Sequence, residues 1–140
     1  MKTYFLPASA TVALLLVSAP VMAHHPFAAE YDKDKTVHVM GTVAKIDWSN
    51  PHAVLQVDEK TPDGHMNSWT FELGGPNALK RRGWTQATLK NGDTVTVDGW
   101  MARDDPHRGN AKTVKLSTGK ELNAASSYFE KPAAKTKNSH

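Results

Sequence analysis

Gly74-Gly75-Pro76-Asn77-Ala78-Leu79-Lys80-Arg81-Arg82-Gly83-Trp84 is the stretch on which the fold turns. It reads as a helix. Gly74 to Asn77 opens it, with the proline suited to a first turn because its missing N–H would find no partner there, and Gly83 closes it before Trp84 packs back. The helix is barely two turns long, so packing, not propensity, has to hold it. On both sides the hydrophobic period is two, not 3.6, so the place of this helix among strands selects the architecture.

Upstream, Trp69, Phe71 and Leu73 form the inward row of a third strand. Pro62-Asp63-Gly64 is a hairpin turn, in which proline presets φ and glycine takes the positive-φ position. In the second strand Ala53, Leu55 and Val57 alternate with Val54, Gln56 and Asp58, following a turn at Ser49-Asn50-Pro51. The first strand starts at Thr36. Val37, Val39, Gly41 and Val43 share one parity and Met40, Ala44 and Ile46 the other, which predicts a bend or bulge near Gly41. The segment Phe27 to Lys35 fits a helical turn and an extended lead-in equally well. Downstream, Leu89 to Asp93 turns at Asn91-Gly92, and Val95, Val97, Gly99 and Met101 line a fourth strand. Asp104 to Gly109 is a polar loop, Val114 and Leu116 mark a fifth strand, and Glu121-Leu122 adds a short edge strand after the turn at Ser117-Thr118-Gly119.

Five strands with one short helix between strands 3 and 4 predict a mainly β fold: a small, five-stranded, OB-like Greek-key barrel. A long first strand with a glycine kink can serve both halves of such a barrel. The alternatives are a split α+β sandwich and an Ig-like domain, although the latter normally needs about seven strands.

The chain ends carry an address. Residues 1–23 read as a signal peptide: Lys2 gives the positive start, Ala10 to Ser18 a short apolar run, Pro20 a break, and Val21-x-Ala23 the small residues before a cut. The apolar run is well below the ~20 residues a spanning helix needs. The expected product is periplasmic, cleaved after Ala23 and free of the membrane. A single domain then spans 24–127, and 128–140, rich in Lys, Ala, Pro and Asn, reads as a disordered tail. Only Lys2 among the charged residues is lost with the leader, so the formal +3 falls by one unit. The chain has no cysteine, which excludes disulfides, thiol redox chemistry and cysteine-held clusters.

HHPFAAEYD (24–32), DWSNPHA (47–53), ELGGPNALKRRGW (72–84) and LKNGDTVTVDGW (89–100) together resemble a family of uncharacterised exported bacterial proteins, known only as a domain of unknown function. The likeness runs from His24 to about Ser127. It implies export and a small β-rich fold, and it assigns neither an activity nor site residues. More loosely, the plan is similar to periplasmic proteins with the oligosaccharide-binding fold, an analogy that does not fix function.

Three constellations have chemical content. Cleavage after Ala23 leaves His24 and His25 at the new amino terminus. The α-amine and ring Nδ1 of His24 then chelate one ion, and a second imidazole completes a planar nitrogen set of the kind that favours Cu(II). Cleavage after Met22 leaves a histidine in third place, which also binds Cu(II) or Ni(II). His52, beside the rigid Asn50-Pro51 turn, is the candidate third ligand; the ordinary alternative is a turn histidine bonded to nearby backbone. His38 is a further donor, and His65 and His107 read as solvated. Second, Lys80-Arg81-Arg82 with Trp48, Trp84 and Trp100 suits single-stranded nucleic acid, but export and the small net charge argue against nucleic acid and for a glycan or a solvated helix end. Third, Asp47, Asp58, Glu72, Asp98, Asp104 and Asp105 show no acid/base pairing, and no serine has nucleophile-elbow context, so no enzyme is expected. The expectation is an exported binding module with Cu(II) at His24, His25 and His52. The alternative is a metal-free periplasmic protein that binds a glycan, a peptide or an envelope partner.

Overall fold

Alternating burial along each strand builds one sheet that closes partly on itself. The computed structural model describes residues 27–126; the leader, His24, His25 and the tail 128–140 lie outside the described residues. In chain order the elements are α1 (Phe27–Glu30), β1 (Tyr31–Asp47), β2 (Val54–Lys60), β3 (Met66–Glu72), α2 (Pro76–Arg81), β4 (Thr94–Ala102), β5 (Arg108–Leu116) and β6 (Glu121–Asn123). β1 pairs antiparallel with β2 and with β4, β2 with β3, and β4 with β5. A short parallel pairing of β3 with β5 brings the ends of this row together, so five strands run partly round a ring. The chain is mainly β, barrel-like, with a short helix between β3 and β4, as the sequence predicts. β6 extends the edge of β5, as expected for Glu121-Leu122.

The predicted inward rows are the core. Ala53, Leu55 and Val57, then Phe71 and Leu73, are fully buried, and Val39, Val43, Val95, Val97 and Val114 join them. α2 contributes Leu79, and Trp84 follows it into the interior. Gly83, at φ 93°, ends the helix as expected. Among the described residues no helix is long and apolar enough to cross a membrane.

β1 serves both sides of the ring. It pairs with β4 through Thr36–Thr42 and with β2 through Thr42–Asp47, handing over at Thr42, which faces Thr94 on one side and Asp58 on the other. Gly41 sits at this crossing for clearance: a Cβ there would lie 2.4 Å from the Asp58 carbonyl oxygen and 2.7 Å from Val57 Cγ1. The register irregularity falls between Val43 and Lys45, not at Gly41. One extra residue there moves the apolar positions from odd to even, which is how both Val43 and Ile46 reach the core side.

Two boundaries differ from the sequence reading. β1 starts at Tyr31 and not Thr36, because Tyr31 pairs with Ala102 across an irregularity that takes up the charged residues between. The lead-in is therefore both things it was read as, a helical turn and then extended chain. β5 starts at Arg108, inside the predicted polar loop, because Arg108-Gly109-Asn110 pairs with Thr70-Phe71-Glu72.

Gly41→Ala should cost about 1–3 kcal/mol, the usual penalty for forcing a group into a packed site. The exposed Lys45→Ala, four residues on, should stay within about 0.5 kcal/mol of the parent. Urea midpoints of the two variants check this, and equal midpoints would contradict a crossing that needs glycine.

Candidate functional site

The turn before β2 and the loop before β5 open on the same rim. Backbone bonds fix the first of them. Ala53 N–H donates to the Gly74 carbonyl at 3.1 Å, and Leu73 N–H donates to the Ala53 carbonyl at 2.9 Å. Two glycines make room: a Cβ on Gly75 would lie 2.7 Å from the Pro51 carbonyl oxygen, and one on Gly74 the same distance from that of Ala125. The Gly-Gly pair that opens α2 thus lets the cis Asn50-Pro51 turn and the segment after β6 close on the end of β3. This clasp sets His52 beside Glu72, which points outward between the inward Phe71 and Leu73.

His52 Nδ1 lies 3.0 Å from Glu72 Oε1, with the two side chains only 21% and 23% exposed. Tyr31 Oη donates to the other carboxylate oxygen, Oε2, at 2.8 Å. Arg108 Nη1 donates in turn to Tyr31 Oη at 3.2 Å, and its guanidinium carbon stands 5.3 Å from the centre of the Tyr31 ring. Arg108 Nη2 donates to Asp104 at 2.5 Å, and Glu30 lies 3.9 Å from Nη1. The result is a continuous polar row, His52–Glu72–Tyr31–Arg108–Asp104, running from the turn before β2 across β3 to the loop before β5. In the OB fold these two loops and the neighbouring sheet face bind ligands.

Burial, then the Glu72 charge and hydrogen bond, push the Tyr31 phenol well above its ordinary value. Tyr31 therefore stays a donor to Glu72. Burial alone would lower the Arg108 guanidinium, but the bond to Asp104 and the charges of Tyr31, Asp104 and Glu30 hold it higher. The same Arg108 bond holds the Asp104 carboxyl below the usual range.

The N-terminal lead-in packs onto this row. The Phe27 ring stacks on Tyr31 at 5.2 Å between centroids and meets Trp100 edge-on at 5.6 Å. Arg103 donates from Nε to the Ala28 carbonyl at 2.9 Å, tying α1 to the end of β4. From the other side, Asn110 Nδ2 lies 3.4 Å from Ser126 Oγ, both residues being buried.

The other sequence candidates sit apart from this row. His38 faces its register partner Asp98, Nδ1 to Oδ1 2.6 Å, on the exposed face of β1 and β4. His65 bonds Asp63 at the hairpin tip, and the exposed His107 meets Trp69 edge-on. The basic-aromatic group is divided: Trp84 is buried against Trp48, Arg82 donates to the Ala125 carbonyl, Lys80 and Arg81 stay exposed, and Trp100 lies on another face. Among the described residues no three His, Asp or Glu side chains gather as a metal cage. His24 and His25 lie outside them. The sequence reading names Glu72 without a partner and misses the roles of Tyr31 and Arg108. The only available signal for the pair was the β2–β3 register, which sets Val54, two residues after His52, opposite Glu72.

Tyr31 generates a test. Below the ordinary tyrosine value of about 10, folded and unfolded chains both hold the phenol proton and its contribution to stability is complete. Above it the unfolded chain releases the proton while the folded one retains it, so stability falls with rising pH until the folded phenol titrates. Denaturant midpoints should decline from about pH 10 upward, and Tyr31→Phe should flatten that decline. An unchanged alkaline slope in the variant would contradict the assignment.

No curated protein matches the chain. The family of unknown function DUF6152 matches it over residues 12–112, a stretch that includes His24, His25 and every member of the polar row. The match covers well over half of the chain and agrees with the resemblance carried by its motifs, so the protein belongs to the DUF6152 family.

Proposed function

We propose that the protein is an exported binding module that holds Cu(II) at the amino terminus of its processed chain, with His24 and His25 as terminal donors and His52 as the imidazole supplied by the barrel. The observation that carries this reading is the stacking of Phe27 on Tyr31, whose hydroxyl meets the same carboxylate as His52. His24 precedes Phe27 by three residues, a span of at most about 10 Å in extended chain. The row from Tyr31 to His52 has links of 2.8 and 3.0 Å, so Phe27, where the described chain begins, is joined to His52 through Tyr31 and Glu72. The leader-like sequence of residues 1–23 supports export, and the cut it predicts after Ala23 would create the chelating amine.

One observation favours a metal-free reading. An open groove of about 410 Å³, lined by Trp100, Lys112, Thr113, Glu121, Asn123 and Ala125, sets an aromatic ring among groups able to bond sugar hydroxyls. Glycan binding that shifts tryptophan fluorescence and ignores chelators would favour that alternative.

The processed chain should bind one Cu(II) with a visible d–d band. A chain bearing one extra residue before His24 should bind at least tenfold more weakly, and His52→Ala should also weaken binding. Titration calorimetry on protein whose amino terminus has been checked by mass spectrometry decides the matter. Equal affinity of the processed and extended chains would overturn the proposal.

A further inference from the structure

Asn91-Gly92, in the turn just before β4, is the one place in the sequence where an asparagine precedes a glycine. Both residues are exposed. Such a pair has a chemistry of its own. The backbone nitrogen that follows an asparagine can attack its side-chain carbonyl, and glycine, which lacks a Cβ, hinders that approach least. Asn50 is followed by a proline, whose nitrogen carries no proton, and every other asparagine by a residue with a Cβ.

The fold holds the Gly92 nitrogen back. Gly92 N–H donates to the Val43 carbonyl at 2.7 Å, and Val43 N–H donates to the Asp93 carbonyl at 2.8 Å, so two bonds stitch the turn to β1. Asp93 N–H donates to the Lys90 carbonyl at 3.1 Å, and Asp93 Oδ2 accepts from Lys90 N–H at 2.9 Å. Gly92 has φ 93°, and among the described residues no other residue type has a positive φ. With Asn91 therefore at negative φ, the signs are those of a type II turn. Asparagine's tolerance of the left-handed region goes unused here, and the turn does not itself call for that residue. In this turn class the Asn91 ψ is about +120°, which turns the Gly92 nitrogen away from the Asn91 side chain. Attack needs that nitrogen released from Val43 and a rotation about the Asn91 Cα–C bond.

We infer that Asn91 is a modification site, the residue at which this domain deamidates, and that the hydrogen bond from Gly92 to Val43 is the gate that sets the rate. Once the turn opens and base removes the Gly92 amide proton, the nitrogen adds to Asn91 Cγ. The Cγ–Nδ2 bond then breaks, and Nδ2 takes a proton from water and leaves as ammonia, which closes a cyclic imide. Water opens that ring at either carbonyl. One product is an aspartate at position 91. The other carries the chain through Cγ and adds a backbone atom to the turn. Either product places a new carboxylate beside Asp93. The lengthened one also draws Gly92 and Asp93 out of register with Val43, next to Thr42, where β1 passes from β4 to β2. Modification therefore loosens β1 at its handover.

The test holds the folded protein in mildly alkaline buffer and follows each asparagine by peptide mass spectrometry over time. Amide exchange and deamidation both begin with loss of the Gly92 proton. Deamidation at Asn91 should therefore be slower in the folded chain than in the urea-unfolded chain, by the same factor that protects the Gly92 amide from hydrogen exchange. Asp93→Ala removes the carboxylate that caps Lys90 N–H and should speed exchange and deamidation together. Near-UV circular dichroism checks that this variant folds, and the wild-type comparison needs no variant at all. Protein enriched in the lengthened product should unfold at a lower urea midpoint than its parent. Equal deamidation rates in the folded and unfolded chains would overturn the gate. Earlier deamidation at another asparagine of residues 27–126 in the folded chain, or none at Asn91 in the unfolded chain, would overturn the site.

Discussion

The structure depends on three residue pairs. Thr70 with Arg108, Phe71 with Gly109 and Glu72 with Asn110 are the parallel pairing of β3 with β5. Without it the strands would form an open row, β3-β2-β1-β4-β5-β6, with an unpaired edge on β3 and along the first residues of β5, before β6 begins to pair with it. With it the row closes enough to hold one interior, shared by Phe71, Leu55, Val97 and Val114. The pairing is long in sequence separation, so its loop-closure entropy comes due before its contacts form, and ring closure should follow the local hairpins in folding. The same seam carries the candidate site. Arg108 and Glu72 are neighbours only because these strands meet, and Tyr31, at the start of β1, bridges them.

Much of the fold was legible because strands write their burial in a period of two. The rows 53/55/57 and 69/71/73 needed no tertiary knowledge, since each is apolar on one parity and bounded by turn residues. The helix was legible from its punctuation. What stayed hidden was set by partners far along the chain. Tyr31 is buried at the start of β1 amid Asp32, Lys33, Asp34 and Lys35, and no local alternation marks it as interior. Arg108 sits in a segment whose composition is that of a loop and becomes strand only against β3. Gly41 lies in the strand expected of it but does not form the bulge; it makes room at a crossing, and the extra residue falls beyond it. For the site, His52 was legible as a rigidly placed imidazole. Its partner Glu72 was not, because a pairing across 20 positions exists only once the β2–β3 register is known.

The row from His52 to Asp104 is linked by contacts between donors and acceptors, with a carboxylate beside the imidazole at one end and a carboxylate paired with the guanidinium at the other. Such a row resists replacement piece by piece, since removing one member leaves the next unpaired in a sheltered place, where that costs more than the bond itself contributed. His38 and Asp98 make a similar pair in the open, where solvent screens the interaction and little hangs on it. The same two residue types therefore mean different things at two places on this molecule, and shelter decides which is which.

Phe27 leans on Trp100 in β4, and Ser126 lies against Asn110 in β5; Trp100 and Asn110 are opposite one another across those two strands. The described chain therefore enters and leaves over the same patch of sheet. Its connectivity is close to circular, so the order in which the strands are synthesised matters less than the order in which they pair. A chain rejoined across that patch and reopened at the Asn91-Gly92 turn would contain the same ring. The domain is also suited to sit as an insert within a longer polypeptide, hung from its host by two adjacent threads.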